Sequence, residues 1–342
     1  MSLEKYSRQI LFRDIGEQGQ ARLLSSRVTV IGCGALGAAQ LESLSRAGVG
    51  FIRIIDRDFV EESNLQRQIM FEEQDARDRL PKAVACTRRI ARVNSDIHVE
   101  AVAADVNYRN IERFIGDVDL VLDGTDNFET RYLINDACVK LGKPWVYGAA
   151  VGSYGLSMTI IPGTTPCLRC VFEKIPPPGS SPTCDTAGIV LPIILVIASI
   201  QVTEAIKILT GKLDKLHRGI IQIDLWDGTF HRLNMSKLEN KSDCPACQQR
   251  KFEFLEAETR QSALTLCGRN AVHISRLGDS EVNLKDVADR LGALGEVTLK
   301  EFLLVFRVDT YELNLFADGH CIIKGTDDMN VARSLYARYI GS

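Results

Sequence analysis

The residues with chemical potential in this chain begin with a glycine-rich turn, Gly32-Cys33-Gly34-Ala35-Leu36-Gly37. An acid at Asp56 and the run Ser63-Asn64-Leu65-Gln66-Arg67-Gln68 follow it. Glycines let a backbone approach a phosphate closely, and a helix beginning there offers free N–H groups and a partial positive charge. Asp56 comes about twenty residues later, where an acid accepts hydrogen bonds from ribose hydroxyls. The glycines alone would suit many nucleotide folds. Arg67 narrows the field, because it sets a fixed cation just past the ribose acid. A nicotinamide enzyme keeps its pyrophosphate intact and needs no such cation in the reaction path. An enzyme that breaks ATP between its α- and β-phosphates does.

The second group is made of cysteines. Cys167-Leu-Arg-Cys170 and Cys244-Pro-Ala-Cys247 are two C-x-x-C knuckles, each beside a turn-forming proline, Pro166 and Pro245. Each knuckle can present two thiolates to one tetrahedral ion, and two knuckles complete a closed site with no position left for water. That points to structural Zn²⁺. One knuckle alone could equally serve redox chemistry. A third feature is Lys174-Ile-Pro-Pro-Pro-Gly-Ser-Ser-Pro-Thr-Cys184, which cannot be regular structure and reads as a long exposed loop ending on a thiol.

These groups need a scaffold, and the pattern supplies one. Val28–Ile31 is a short β-branched run that reads as a buried parallel strand, and 38–47 carries Leu41 and Leu44 at helical spacing before Gly48. Strand signals recur at 51–55, 98–103, 120–122 and 144–151, with helices at 110–116 and 130–141 between them. Such alternation predicts a doubly wound, Rossmann-like α/β sheet. Asp126 then lies just past the carboxyl end of a parallel strand, where ligands bind, and is placed to hold Mg²⁺ near the phosphates. The run 188–209 should be buried core, with a strand around Leu225-Trp226-Asp227.

Composition changes near Lys251, so the expected domains are 1–251 and 252–342. In the second, strands are expected at 264–267, 271–274, 302–309 and 311–324, with a turn at Asp318-Gly319 and helices at 284–294 and 327–339. That is a small α+β domain. Its His273, His320, Cys267 and Cys321 fall inside strand patterns and read as filler rather than ligands.

The chain has 342 residues, 45% hydrophobic and 25% charged content and a net charge of −3, so nothing predicts nucleic acid or an anionic membrane as partner. The segment 1–16 lacks an apolar signal core, and the longest apolar stretch, 189–200, is interrupted by Pro192 and runs into Glu204 and Lys207. A cytoplasmic location is expected, where the ten cysteines would stay reduced.

Taken together, these residues resemble the ThiF/MoeB family, prokaryotic relatives of ubiquitin-activating enzymes. The resemblance covers Tyr6 to about Cys247. It rests on Tyr6-Ser7-Arg8-Gln9-Ile10, the glycine turn, Asp56-Arg57-Asp58, Ser63 to Gln68, Pro81-Lys82, Thr125-Asp126-Asn127, Thr183-Cys184 and both knuckles. The small C-terminal domain resembles that of extended members from Gram-positive bacteria. The chain departs from the family pattern at Ala35, where relatives often carry another glycine.

The resemblance implies adenylation of the C-terminal glycine of a small β-grasp sulfur carrier, ThiS or MoaD, with release of pyrophosphate and later formation of a thiocarboxylate through a sulfur donor protein. It implies ATP contacts from Gly32, Gly34, Ala35, Gly37, Asp56, Asp58 and Ser63 to Gln68, with Asn64, Arg67 and Lys82 on the phosphates. Asp126 would bind Mg²⁺ with Asn127 beside it. Arg8 would reach into the partner's site of a homodimer. Cys184 either takes part in acyl or persulfide chemistry or is an accessible, dispensable thiol, since Asp185 beside it would raise its pKa. ThiS, in thiazole synthesis, is placed ahead of MoaD, in molybdopterin synthesis. Two readings of other classes stand against the family one: an NAD-dependent oxidoreductase, which leaves Arg67 and Lys82 without a role, and a silent carrier-binding module.

Overall fold

The computed structural model describes residues 3–175, 183–235, 238, 243–256, 263–266, 270–274 and 282–341. The chain divides into two units, Met1–Ala257 and Glu258–Ser342. The first therefore continues past Lys251, since Phe252 and Phe254 are buried in its apolar core.

The first unit runs α1 (Ser7–Ile10), α2 (Gly16–Ser25), β1 (Arg27–Ile31), α3 (Ala35–Ala47), β2 (Phe51–Asp56), α4 (Glu73–Asp78), α5 (Lys82–Val93), β3 (His98–Ala103) and α6 (Ile111–Ile115). It goes on with β4 (Leu120–Asp123), α7 (Phe128–Leu141), β5 (Trp145–Val151), β6 (Tyr154–Ile160), α8 (Leu168–Val171), α9 (Cys184–Ala187), α10 (Leu191–Leu209), β7 (Gly219–Asp224) and β8 (Thr229–Asn234). The strands form one sheet in the order β3-β2-β1-β4-β5-β6-β7-β8. It is parallel from β3 to β5 and antiparallel from β5 to β8.

The change of direction has a local cause. Only Gly152 and Ser153 join β5 to β6, and Gly152 takes a φ of +61°. So short a link can close a hairpin, whereas a parallel return needs a dozen residues or more. A second tight turn joins β7 to β8 and corrects an expectation: Leu225-Trp226-Asp227 is not strand. The Asp224 carboxylate accepts from Trp226 N at 3.0 Å and Asp227 N at 3.3 Å, as aspartate does when it closes a turn on its own backbone.

On one sheet face α10 lays Ile193, Ile194, Ile197 and Ala198 against Leu36 and Ala39 of α3 and Ile221 and Ile223 of β7. Burying each such isoleucine contributes roughly 1.5–3 kcal/mol. By length and composition α10 could cross a membrane, but here it covers the sheet. Its buried Glu204 bonds Thr159 Oγ1 at 3.0 Å and His217 N at 2.9 Å. The other face is closed by Ile111 and Phe114 of α6 and Tyr132, Leu133 and Ala137 of α7.

Glycine is required where β1 meets its neighbours. A Cβ on Gly37 would lie 1.8 Å from the Gly32 carbonyl oxygen, and one on Gly124 would lie 2.4 Å from the same atom. Gly32 itself has φ +88°. The start of α3 and the end of β4 thus close on the β1 turn backbone to backbone.

The second unit comprises β9 (Ala263–Leu266), β10 (Ala271–Ile274), α11 (Leu284–Leu291), β11 (Glu296–Leu299), β12 (Leu303–Val308), β13 (Tyr311–Phe316), β14 (Cys321–Lys324) and α12 (Met329–Tyr339). Its sheet, ordered β11-β12-β13-β14-β10-β9, is antiparallel throughout. Val287 and Leu291 of α11 and Ala332, Tyr336 and Tyr339 of α12 pack over Ile274, Phe306, Leu313 and Ile323. The run 311–324 forms a hairpin, with β13 and β14 paired about the Asp318-Gly319 turn that the sequence predicts. His273 and His320 are buried with ring centroids 5.4 Å apart; Cys267 lies outside the described residues.

The glycine contact gives a direct test. Gly37→Ala should lower the thermal midpoint of the first unit by several degrees, the consequence of roughly 1–3 kcal/mol of overpacking. An unchanged melting curve would show that the turn has slack the structure does not suggest.

Candidate functional site

The carboxyl ends of β1, β2 and β4 meet where the strand order reverses, the place where open α/β sheets bind ligands. Gly34 is the N-cap of α3, and among the described residues outside its own turn the heavy atom nearest its missing Cβ is Gly124 O at 3.7 Å, which leaves backbone open to the crevice. Asp56 closes β2 beside it. Its carboxylate accepts from Cys33 N at 2.5 Å and Asp58 N at 2.7 Å, so the acid and the glycine turn form one rigid unit. Burial pushes the Asp56 pKa up, while Lys82 and the two backbone donors hold it down.

Asp58 does a different job from Asp56. It accepts from the Lys82 ammonium at 3.0 Å, and its carbonyl accepts from Lys82 N at 2.9 Å. Lys82, the first residue of α5, is buried and so fixed in place from both ends. Beyond Asp58, residues 62–64 form a 3-10 turn in which Asn64, buried, accepts from Glu61 N at 3.1 Å. Arg67 bonds back to Ser63 O at 2.8 Å and is half-buried, whereas Ser63 and Gln66 are exposed. Leu65 is half-buried and Gln68 is buried.

Across the crevice, Asp126 follows β4 with its side chain exposed. Its neighbours are pinned. Asn127 caps α7, accepting from Thr130 N at 2.8 Å, so that helix begins at Phe128 rather than Thr130. Thr125 donates to the Asp123 carboxylate from N at 2.9 Å and from Oγ1 at 2.7 Å. Arg131 reaches back from α7 to the same carboxylate at 3.1 Å and to Thr125 O at 2.7 Å. Burial raises the Asp123 pKa and Arg131 opposes it.

Arg57 joins this group and was not singled out in the sequence. It pairs with Asp105 at 3.1 Å, past the end of β3. Burial works against its charge, but Asp105, Asp58 and Asp126 outweigh burial and raise its pKa. Its position between two acids in Asp56-Arg57-Asp58 was the available signal. Asp105 gave none, because pairing across β2 and β3 depends on sheet order.

Two of the expected residues lie apart from this cluster. Arg8 is exposed on α1, near the exposed Leu11 and Phe12. Cys184 opens the short α9, capped by Thr183, with its Sγ 3.6 Å from Ala150 O at the end of β5. Most of the proline-rich segment before it, 176–182, is outside the described residues.

The knuckle cysteines do converge. Sγ separations are 3.8 Å for Cys167–Cys170, 3.6 Å for Cys167–Cys244 and 3.4 Å for Cys170–Cys247, and all four sulfurs lie within 4.8 Å of one another. Four thiolates about 2.3 Å from one tetrahedral zinc stand roughly 3.8 Å apart. The set fits a closed Zn²⁺ site. Asn135 of α7 buttresses it, donating to Cys167 Sγ at 3.8 Å and accepting from Leu168 N at 2.9 Å. A second layer of this kind is what orients metal ligands.

The model of the ThiF family matches residues 6–246. This chain belongs to the ThiF family. Among ThiF relatives, the sulfur carrier protein ThiS adenylyltransferase of Bacillus subtilis is 44% identical over 338 residues, covering 98% of this chain and 99% of that protein. The ThiS adenylyltransferase of Escherichia coli is 38% identical over 71% of this chain and 94% of its own length. The SAMP-activating enzyme E1 of Haloferax volcanii is 38% identical over 74% of this chain and 92% of its own. The ThiF-type architecture is also that of Escherichia coli MccB crystallised with ATP, with a TM-score of 0.62 over 72% of this chain and 74% of that one at 23% identity.

The cysteine geometry predicts one zinc per chain by elemental analysis of the purified protein. Replacing Cys244 and Cys247 with serine should remove the metal and destabilise the first unit by about 10 kcal/mol, the scale of a structural zinc's contribution to folding. A metal-free protein that melts like wild type would refute a structural ion.

Proposed function

We propose that this chain adenylates the sulfur carrier protein ThiS at its C-terminal glycine carboxylate, consuming ATP and releasing pyrophosphate. The observation that carries the reading is the similarity to the Bacillus subtilis ThiS adenylyltransferase, which extends through the second unit and spans nearly all of both chains. The Escherichia coli and Haloferax volcanii relatives stop short of that length.

The crevice supports this chemistry. One carboxylate oxygen of the carrier forms a bond to the α-phosphorus, and the bond from that phosphorus to pyrophosphate breaks, its electrons leaving with pyrophosphate. No general base is required, since the attacking carboxylate is already ionised. Negative charge gathers on the phosphates, and cations fixed in advance stabilise it without reorganisation. Lys82, held by Asp58, and Arg67, anchored to Ser63, suit that role. The amide nitrogen of Asn64 can add a neutral donor. Asp56 would take the ribose hydroxyls, and the backbone of Gly32, Gly34, Ala35 and Gly37 the phosphates. Asp126 would hold Mg²⁺, which would supply positive charge to offset that of the phosphates. Arg8 is available to the site of a second subunit, and the exposed Leu11 and Phe12 beside it favour a homodimer.

The carrier needs a surface within reach of this crevice. The face of the antiparallel half opposite α10 carries half-buried Leu156 and Gln222 in one row, and beyond it the hairpin tip presents Trp226, 83% exposed. Tryptophan is enriched at protein interfaces, and an exposed indole beside this mixed row suits a folded protein better than a small molecule. Cys184 sits at the end of β5, where a later sulfur-transfer step with a donor protein could reach the adenylated tail.

The deciding experiment incubates the protein with Mg-ATP and purified ThiS or MoaD, then reads the carrier's intact mass and follows ATP–pyrophosphate exchange. An AMP adduct on ThiS is expected; an adduct on MoaD alone would move the substrate, and no adduct with no exchange would end the enzyme reading. Arg67→Ala should slow exchange by about two orders of magnitude, the scale of losing one charge-stabilising donor. Normal turnover would remove Arg67 from the site. Cys184→Ala should leave adenylation intact, and a collapse of adenylation would show that its role had been misassigned.

A further inference from the structure

We propose that Arg131 is a positioning residue for the adenylation step, holding the Thr125–Asn127 loop so that Asp126 is presented to the metal. This inference rests on the adenylation reading and names a residue that the reading does not require.

Arg131 works where the sheet comes apart. The β4–β5 ladder stops at Leu122↔Val146. Beyond that point side chains take over from backbone pairing. The carbonyl of Asp123 receives Gln40 Nε2 at 2.8 Å and Gln201 Nε2 at 2.9 Å, and Gln201 also reaches Val146 O at 3.2 Å. Arg131 closes the outer end. One guanidinium nitrogen donates to Thr125 O at 2.7 Å and to Gly148 O at 3.0 Å, while Nε donates to Asp123 at 3.1 Å. The Gly148 N–H donates to the Asp123 carboxylate in return. One buried ion pair therefore grips both strand ends, and its members are almost wholly excluded from water.

The geometry isolates Asp126. Thr125 is held at its N–H, its carbonyl and its hydroxyl, all by Asp123 and Arg131. Asn127 is held by the cap of α7. Asp126 stands between two fixed residues with its own carboxylate exposed. Arginine is required because its planar fork serves a carboxylate and two carbonyls at once, which a lysine point charge cannot reproduce. Arg131 also lies 5.2 Å from the Tyr147 ring centroid and 5.7 Å from that of Phe128, so the fork is packed as well as bonded.

Arg131→Lys in the full-length chain tests the inference, because it keeps the charge and removes the fork. Four quantities are measured against wild type: kcat for ATP–pyrophosphate exchange with ThiS, the Mg²⁺ concentration for half-maximal rate, ATP affinity without Mg²⁺, and amide hydrogen exchange across 124–127. The expected result is a kcat about 10- to 100-fold lower, the scale of displacing a catalytic group by about an ångström. The Mg²⁺ requirement should rise, amides 124–127 should exchange faster, and metal-free ATP affinity should stay at the wild-type value. Unchanged kcat and Mg²⁺ dependence would overturn the proposal. So would a loss of metal-free ATP affinity as large as the loss of kcat, since that signals a general collapse of the crevice. Should Arg131→Lys not fold, Asp123→Asn, which keeps an acceptor for Thr125, is expected to give the same pattern, and wild-type behaviour there would overturn the proposal. If wild-type protein itself shows no exchange, the adenylation reading fails while the hydrogen-exchange comparison still reports on Arg131 and its loop.

Discussion

The first unit depends on a contact made by backbone alone. The Gly32 carbonyl occupies the space that a side chain on either Gly37 or Gly124 would need. That close approach draws the β1 turn, the start of α3 and the end of β4 together. Asp56 and Arg57 from one side and Asp126 from the other can then border the same crevice. A methyl group in the middle would separate them, and no surface charge could restore the spacing. The remaining polar architecture is built outward from this point: Asp56 ties the turn to β2 through Cys33, and Asp123 ties the β4 end to α7.

Ion pairs in this region are better understood as fixtures than as sources of stability. Burying both members of a pair such as Asp123–Arg131 costs desolvation that their attraction only partly offsets. What the pair gives is a single geometry. The same holds for Asp58 and Lys82, where the lysine is bonded at its backbone and its tip by one residue. A flexible lysine on a solvated helix end would have to be ordered when substrate arrives; this one is already in place.

The parallel half of the fold was legible because its signals are local. Val28–Ile31 is β-branched throughout and buried on both faces, with its single hydroxyl, on Thr29, bonded to Phe114 O, and the glycines mark its end. The cysteine pair of pairs was equally readable, since each knuckle needs only its own four residues. The antiparallel half was not. β8 is exposed along its whole length, with polar His231 and Arg232 on opposite faces, and β7 carries Gln222 between Ile221 and Ile223, so their apolar pattern is weak, and Trp226 looks like strand while it occupies a turn held by Asp224. Helix α5 was missed because its apolar positions are mostly small, Ala83, Ala85 and Cys86 among them. Within the site, Asp56 and Asp126 were visible from their places just past strands, and Lys82 was implied only by the family resemblance. Arg131, Gln40 and Gln201 were not, because each serves carbonyls belonging to distant strands, and only the folded sheet order makes them neighbours.

The four-cysteine cluster has a topological consequence. It joins 167–170 to 244–247, and the chain between those points holds α9, α10, β7 and β8. With zinc bound, that whole stretch is a closed ring. A single proteolytic cut within it would yield two fragments that still share one ion, and they would separate on a denaturing gel while staying joined by ligand bonds in the native protein. Adding a chelator would then loosen the grip of one fragment on the other. The metal thus makes the intervening stretch tolerant of a break in its covalent backbone, a property of a ring that an open chain lacks.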